Sequence, residues 1–412
     1  MEKKALFIIS LKYPLINAIN IKINLLQNKR ADIILDDNQA DIFDIAKRLE
    51  SLDVFDNVYI VRGNSLKGIK NIFKEHNNIG VFEAIGNTLT NIKNKFLRLI
   101  NKEKFIESMK LYGDNIALSQ YNEIYLCSET EVSIACSDLL VKKYGIKNIN
   151  LIEEGVRDYY TDVSIMKYRK LYFNANINVY LYNINLPVYN KSIKNVNFIA
   201  IPKLDTNIIN LRDVFNKVFD YNNNKCWDNK IIMFEQKSEP LPKYLVSISG
   251  IKMFVLRNAY KKHLKEHKLY MNKCEAIKYI LSIIPKELYK DFYIKAHPRT
   301  KEGILEEHRR YIIGDKSNFH NIPWEIYILN ESFENNIWIT INSSSVFNRL
   351  FCFNTVNNNI KIIMLNDIFG GDVYGNLKIL FEKVEKQYGE NVYIPRNKDE
   401  LINVMKSYIK ER

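Results

Sequence analysis

The chain is poor in cysteine, glycine and proline, and each shortage excludes something. Its five cysteines (Cys127, Cys136, Cys226, Cys274 and Cys352) are scattered, odd in number and without Cys-x-x-Cys spacing. That argues against both a disulfide framework and a zinc site, and suits a reducing compartment. With 14 Gly and 9 Pro in 412 residues, no flexible linker or low-complexity tract separates the halves. No apolar stretch approaches the length needed to span a bilayer. The opening Ala5-Leu6-Phe7-Ile8-Ile9 run is short, is followed by Lys12 and Asn17, and precedes no small-residue cleavage site. It reads as a first core strand rather than a signal peptide. The expectation is a cytoplasmic protein, with peripheral contact at the inner face of the cell membrane left open. Chemical signatures are missing too: there is no Walker loop, no Gly-x-Gly-x-x-Gly, no Gly-x-Ser-x-Gly and no His-Glu-x-x-His. Nor is there an Asp-x-Asp of the kind that holds a metal on a nucleotide diphosphate.

What is present describes a globular α/β protein. Apolar residues make up 47% and charged residues 26%, which excludes a disordered chain, and 412 residues suit two domains better than one core. Short apolar runs at 6–9, 32–35, 58–61, 124–127, 149–152 and 196–201 alternate with helical patterns such as 42–52 and 132–144. A second series runs through 230–235, 292–295, 337–341, 360–365 and 392–394, closing with a helical period at 399–409. Strands separated by helices imply parallel βαβ units. The expectation is two Rossmann-like, doubly wound domains, 1–228 and 229–412, facing each other across a cleft. The net charge of +13 implies affinity for something anionic: nucleic acid, an anionic membrane face, or an acidic substrate or donor. A Lys-rich solvated surface produces the same number. Two basic amphipathic stretches, 93–104 and 257–268, fit a polyanionic glycan or an anionic membrane, and equally a solvated helix face.

Three segments stand at expected strand ends, where ligands sit in open parallel sheets. Glu153-Glu154-Gly155 follows the strand at 149–152. Adjacent carboxylates point in different directions, so one can serve the site while the other supports its loop. Like charge and partial desolvation raise a carboxylate's pKa, as a general base for a sugar hydroxyl requires. Gly155 permits the sharp turn. The plain alternative is an acidic turn with Asp158 capping the next helix. His297, the best placed of six histidines, follows 292–295 and is held extended by Pro298, with Lys295 two residues earlier on the same side. Ser343-Ser344-Ser345 sits between a strand and an apolar helical run, a phosphate site or a simple N-cap. Pro323 and Glu325 mark another helix start, where Glu325 can accept from a ribose diol or offset the helix dipole.

In that order these segments resemble the shared marks of the bacterial sialyltransferases of GT-B fold: an acidic-acidic-Gly motif, a His-Pro motif and a Ser/Thr pair. The Pro323-x-Glu325 placement is similar to the ribose-binding segment of that group, and the opening resembles its lipooligosaccharide and capsule members. Related bacterial polysialyltransferases share the same three marks. The resemblance implies CMP-sialic acid as donor, a glycan acceptor (a galactoside or sialoside of a bacterial surface glycan), inversion at the anomeric carbon, and no cofactor or metal. It implies Glu153 as base, with Glu154 as the alternative, and His297 as the group that meets the departing phosphate. Ser343 and Ser344, or Ser344 and Ser345, would assist it, and Lys295 and Glu325 would hold the nucleotide. Polymerisation of sialic acid, transfer of another CMP- or UDP-linked sugar, and non-catalytic binding of a polyanion remain open. Nucleic acid is not expected, since no aromatic-basic recognition motif is evident.

Overall fold

β1 (Lys4–Ile9) is an unbroken run of buried residues. Continuous burial suits a parallel strand covered on both faces rather than one with a wet side. The computed structural model describes residues 4–37, 41–62, 101–127, 130–205, 211–222, 226–235, 257–297, 322–354, 359–370 and 375–411. The chain divides into two compact units, Met1–Tyr221 and Asn222–Arg412. Residues 226–230 are tied to the second of these: the Trp227 amide donates to the Ser332 carbonyl (3.0 Å) and the Lys230 amide to Asn336 Oδ1 (2.7 Å).

The first unit is built on eight strands: β1, β2 (Ala31–Asp36), β3 (Asn57–Val61), β4 (Lys110–Tyr112), β5 (Tyr121–Leu126), β6 (Asn148–Ile152), β7 (Asn176–Leu181) and β8 (Val196–Ala200). They lie in the order β4-β3-β2-β1-β5-β6-β7-β8. All pairs are parallel except β3 with β4. The chain winds outward from β1 to β3 and then returns to lay β5 on the other side, so the sheet is doubly wound with its switch point between β1 and β5. The helix Lys12–Leu25 begins two residues after β1 and buries its residues 14–21, including Asn17 and Asn20.

Two strands lie outside the sequence expectation. β4 is three residues long and antiparallel, so it carries almost no periodic signal. β7 reads Asn-Ile-Asn-Val-Tyr-Leu, and asparagine is a poor strand former. Here the asparagines pair across the sheet: Asn178 Nδ2 donates to Asn150 Oδ1 on β6 (2.8 Å), and Asn197 Nδ2 on β8 donates to Asn178 Oδ1 (3.1 Å).

The second unit holds five parallel strands, β9 (Ile231–Phe234), β10 (Phe292–Lys295), β11 (Ile337–Thr340), β12 (Lys361–Met364) and β13 (Val392–Tyr393), in the order β10-β9-β11-β12-β13. This is the other common doubly wound order, with its switch point between β9 and β11. Because side chains alternate across a strand, Ile231, Met233, Ile294, Ile337 and Ile339 share one core with Ala276, Ile277 and Ile280 of helix Arg257–Ile283 and Leu401 and Met405 of helix Lys398–Lys410. Phe234 and Trp338 point to the opposite face, where they meet Trp324 at ring separations of 5.1 and 5.6 Å. That aromatic cluster seats the helix Trp324–Asn330 on the sheet. Among the described residues no helix is long and apolar enough to cross a membrane. Of the two basic stretches, 93–100 lies outside the described residues, and 257–268 opens the helix Arg257–Ile283.

Candidate functional site

In the first unit β6 ends at Ile152, and the next residue, Glu153, is only 2% exposed. Its carboxylate accepts from Tyr13 Oη (2.6 Å), Tyr159 Oη (2.5 Å) and the Tyr182 amide (3.0 Å). Its carbonyl accepts from Asn17 Nδ2 at 2.9 Å. Burial raises the Glu153 pKa, while the two phenols, the Tyr182 amide and the charge of Lys203 pull the other way. The donors come from three places: the helix after β1 (Tyr13, Asn17), the short helix Arg157–Tyr160, and the residue after β7. Strand order explains that convergence, since β7 is the neighbour of β6 in the sheet.

Glu154 turns the other way. It is partly exposed, with Oε2 3.2 Å from an Arg157 guanidinium nitrogen. Its amide donates to Asp158 Oδ2 at 2.6 Å, so Asp158 closes the turn. Burial pushes the Asp158 carboxyl up to about 7; the Glu154 amide opposes this, and the charges of Glu153 and Glu154 add to it. Gly155 has φ of +149°, a conformation that side-chain-bearing residues rarely adopt. Asp158 does not cap the next helix, whose N-cap is Val156; it lies inside that helix and ties the turn by accepting the Glu154 amide, with Glu153 inward and Glu154 outward.

In the second unit Lys295 ends β10 on the aromatic face, its Nζ 5.7 Å from the Trp324 ring centre. Burial lowers its pKa to about 8, opposed by the charges of Glu325 and then Glu235. Glu325, in the first turn of the helix Trp324–Asn330, is buried and accepts from Asn348 Nδ2. Burial raises its pKa; its own backbone amide, Asn348 and Lys295 lower it. His297 is partly exposed two residues beyond β10, and Pro298 lies outside the described residues. On the other side of β9, the Ser343 amide donates to Thr340 Oγ1 (2.8 Å), and its hydroxyl shares a hydrogen bond with Ser345 Oγ (2.8 Å). Ser343 is the N-cap of the 3₁₀ turn Ser344–Phe347 but makes no side-chain capping bond, and Ser344 is partly exposed. Lys295, His297 and Ser343 thus stand at the carboxyl edge of one parallel sheet, on the strands flanking β9. Among the described residues no group of three or more His, Cys, Asp and Glu side chains is arranged to hold a metal ion.

No family model matches the sequence, and no curated protein is similar to it. Solved structures are similar over nearly the whole chain, at low identity. One is a UDP-GlcNAc 2-epimerase from Methanocaldococcus jannaschii, with 13% identity, TM-score 0.49, and 98% of this chain and 92% of that one covered. Another is an alpha/beta-galactoside alpha-2,3-sialyltransferase from the luminous marine bacterium Photobacterium phosphoreum, with 10% identity, TM-score 0.45, and coverage of 96% and 98%. A third is MurG of Acinetobacter baumannii, with 7% identity, TM-score 0.39, and coverage of 99% and 91%. What those proteins act on is theirs.

Sequence reasoning missed two buried groups in the second unit. Glu235 follows β9 as Glu153 follows β6, and it forms an ion pair with Lys273 at 3.0 Å. The strand-end position of Glu235 was a signal. So was the spacing of Lys273, which falls in register with Ala276, Ile277 and Ile280, where an apolar residue belongs. Two of the tyrosines around Glu153 carried no such signal, because Tyr13 and Tyr182 reach it only through the order of the strands, while Tyr159 reaches it through the local turn.

Proposed function

We propose that the chain is an inverting, metal-independent sialyltransferase that moves sialic acid from CMP-sialic acid to a galactoside or sialoside of a bacterial surface glycan. The observation that carries this reading is the carboxyl edge of the second sheet. A lysine and a histidine from β10 and a serine cluster from β11 flank β9, and buried Glu325 acts electrostatically on the lysine. Cationic and hydroxyl groups at such an edge suit a phosphate, and a carboxylate acceptor beside them suits a ribose diol.

On this reading Lys295 and Glu325 hold the nucleotide, and Ser343 with Ser344 or Ser345 binds the phosphate. His297 donates a proton or hydrogen bond to the CMP phosphate as the glycosidic C–O bond breaks. In the first unit Glu153 takes the proton of the acceptor hydroxyl whose oxygen forms the new bond. Its raised pKa fits a base, and its tyrosine partners fix its direction. Glu154, on the wet side of the same turn, is the alternative base. Rate enhancement then comes from orientation and from charge stabilisation at the leaving group.

The test is release of CMP from CMP-sialic acid with a lactose-type acceptor. Glu153→Gln and His297→Ala should each lower turnover by about 10²- to 10⁴-fold, the usual contribution of a positioned acid or base. Wild-type turnover in both variants would overturn these roles. A donor screen by nucleotide release distinguishes CMP-sialic acid from other nucleotide sugars.

A further inference from the structure

Glu153 is 2% exposed, so whatever exchanges a proton with its carboxylate does so through the groups that cover it. Three donors cover it, and they are not equivalent. Oε2 takes the Tyr159 hydroxyl at 2.5 Å and the Tyr182 amide at 3.0 Å. Tyr159 is fully buried, and its oxygen accepts from the Asn183 amide at 3.3 Å. Tyr182 is buried too, and its hydroxyl donates to Asn17 Oδ1 at 2.9 Å. Oε1 takes the Tyr13 hydroxyl at 2.6 Å, and Tyr13 alone of the three tyrosines is partly exposed. Both phenol contacts have the length of hydrogen bonds to an ionised carboxylate. A hydroxyl that donates in this way also has lone pairs with which to accept.

Topology gives Tyr13 its place. The switch point of the first sheet lies between β1 and β5, and ligands sit beyond the carboxyl ends of the strands at such a point. Tyr13 is four residues past the end of β1, in the first turn of the helix Lys12–Leu25. Glu153 follows β6, one strand beyond β5, and the Tyr13 hydroxyl reaches across to it. A cavity also touches Glu153, but its lining is mostly apolar (Leu126, Leu151, Ile165 and Leu181 among it), and entering it costs a sugar much of its hydration.

We infer that Tyr13 is a further catalytic residue, the hydroxyl through which the acceptor's proton reaches Glu153. This rests on the proposal that Glu153 is the base. The acceptor oxygen bonds to the anomeric carbon as the glycosidic electron pair leaves with the CMP phosphate. The acceptor proton passes to Tyr13 Oη, and the Tyr13 proton passes to Glu153 Oε1. The tyrosine is neutral before and after, and Glu153 ends as a carboxylic acid. A carboxylate sealed from water thus serves as base without touching the sugar.

The experiment uses the full chain and two readouts. The first needs no substrate: carbodiimide coupling of an amine to carboxylates, located by mass spectrometry, with partly exposed Glu154 as the internal reference. Glu153 should be labelled far less than Glu154 in wild type and in Tyr13→Phe, which keeps the covering ring. In Tyr13→Ala, which removes it, Glu153 labelling should rise severalfold. The second readout is single-turnover transfer from CMP-sialic acid to a lactose-type acceptor. Tyr13→Phe should lose about 10²-fold in rate, with CMP affinity by titration unchanged. The wild-type rate should bow downward with the deuterium fraction of the solvent, because two protons move, and that of Tyr13→Phe should fall on a straight line. Wild-type rate in Tyr13→Phe, a straight line in wild type, or Glu153 labelled as readily as Glu154 in wild type overturns the relay. So does a slow Tyr13→Phe in which Glu153 has become open to labelling, since Tyr13 then acts by packing alone. A wild type that labels as expected but transfers no sialic acid overturns the transferase reading, and the relay with it, leaving Tyr13 as the cover of Glu153.

Discussion

Glu153, Glu154 and Asp158 are three carboxylates within six residues, and their surroundings give them three different characters. Glu153 is buried among two phenols and an amide, Glu154 pairs with Arg157 on the wet side, and Asp158 is spent on the Glu154 amide. Asp158 carries the clearest pH signature, with its pKa raised to about 7 against about 3.9 for an unfolded aspartate. Between those values the native chain holds a proton that the unfolded chain has lost. Stability therefore falls as pH rises from about 4 to about 7, and the loss is complete above that. Asparagine can accept the same Glu154 hydrogen bond and cannot ionise. Asp158→Asn should melt close to wild type at pH 4 and higher than wild type at pH 8, by circular dichroism across pH. A wild-type pH slope in the variant would assign the bound proton to a neighbour.

At the scale of elements, legibility followed the strength of the period. Buried strands such as β1, β9 and β11 have continuous apolar runs that announce them. β7 was hidden because its alternate positions are asparagines, whose value as strand residues exists only once β6 and β8 bring Asn150 and Asn197 alongside. The helix Lys398–Lys410 was plain from its apolar period, and its start is set by a local exchange: Asn397 Oδ1 accepts from the Glu400 amide at 2.9 Å, and Asn397 Nδ2 donates to Glu400 Oε1 at 3.0 Å. Asn397→Ala removes that cap and should cost the second unit about 1 kcal/mol. For a unit of this size that is a fall of about 2–4 °C in melting temperature. Melting within half a degree of wild type would show that packing of Leu401 and Met405 sets the helix start by itself.

For the whole molecule the dominant fact is the charge of +13, which, on the proposed transferase reading, mildly favours a polyanionic acceptor over a neutral one. If the acceptor is a sialylated chain, its KM should rise steeply between 50 and 200 mM salt, as charge screening requires, while KM for a lactose-type acceptor stays nearly flat. Equal salt dependence for both would mean that the charge is general surface solvation. By itself the sequence determined the α/β class, the two series of strands and the positions of Glu153, Lys295, His297, Glu325 and Ser343 at or near element ends, because period and turn chemistry are local properties. Only the tertiary structure decided that Glu153 faces inward against Tyr13, Tyr159 and Tyr182 and that Glu235 and Lys273 share a buried charge pair behind Lys295. Tyr13 and Tyr182 stand 140 and 29 positions from Glu153, against 6 for Tyr159, and strand order, which no local pattern encodes, is what brings the distant two within hydrogen-bonding distance.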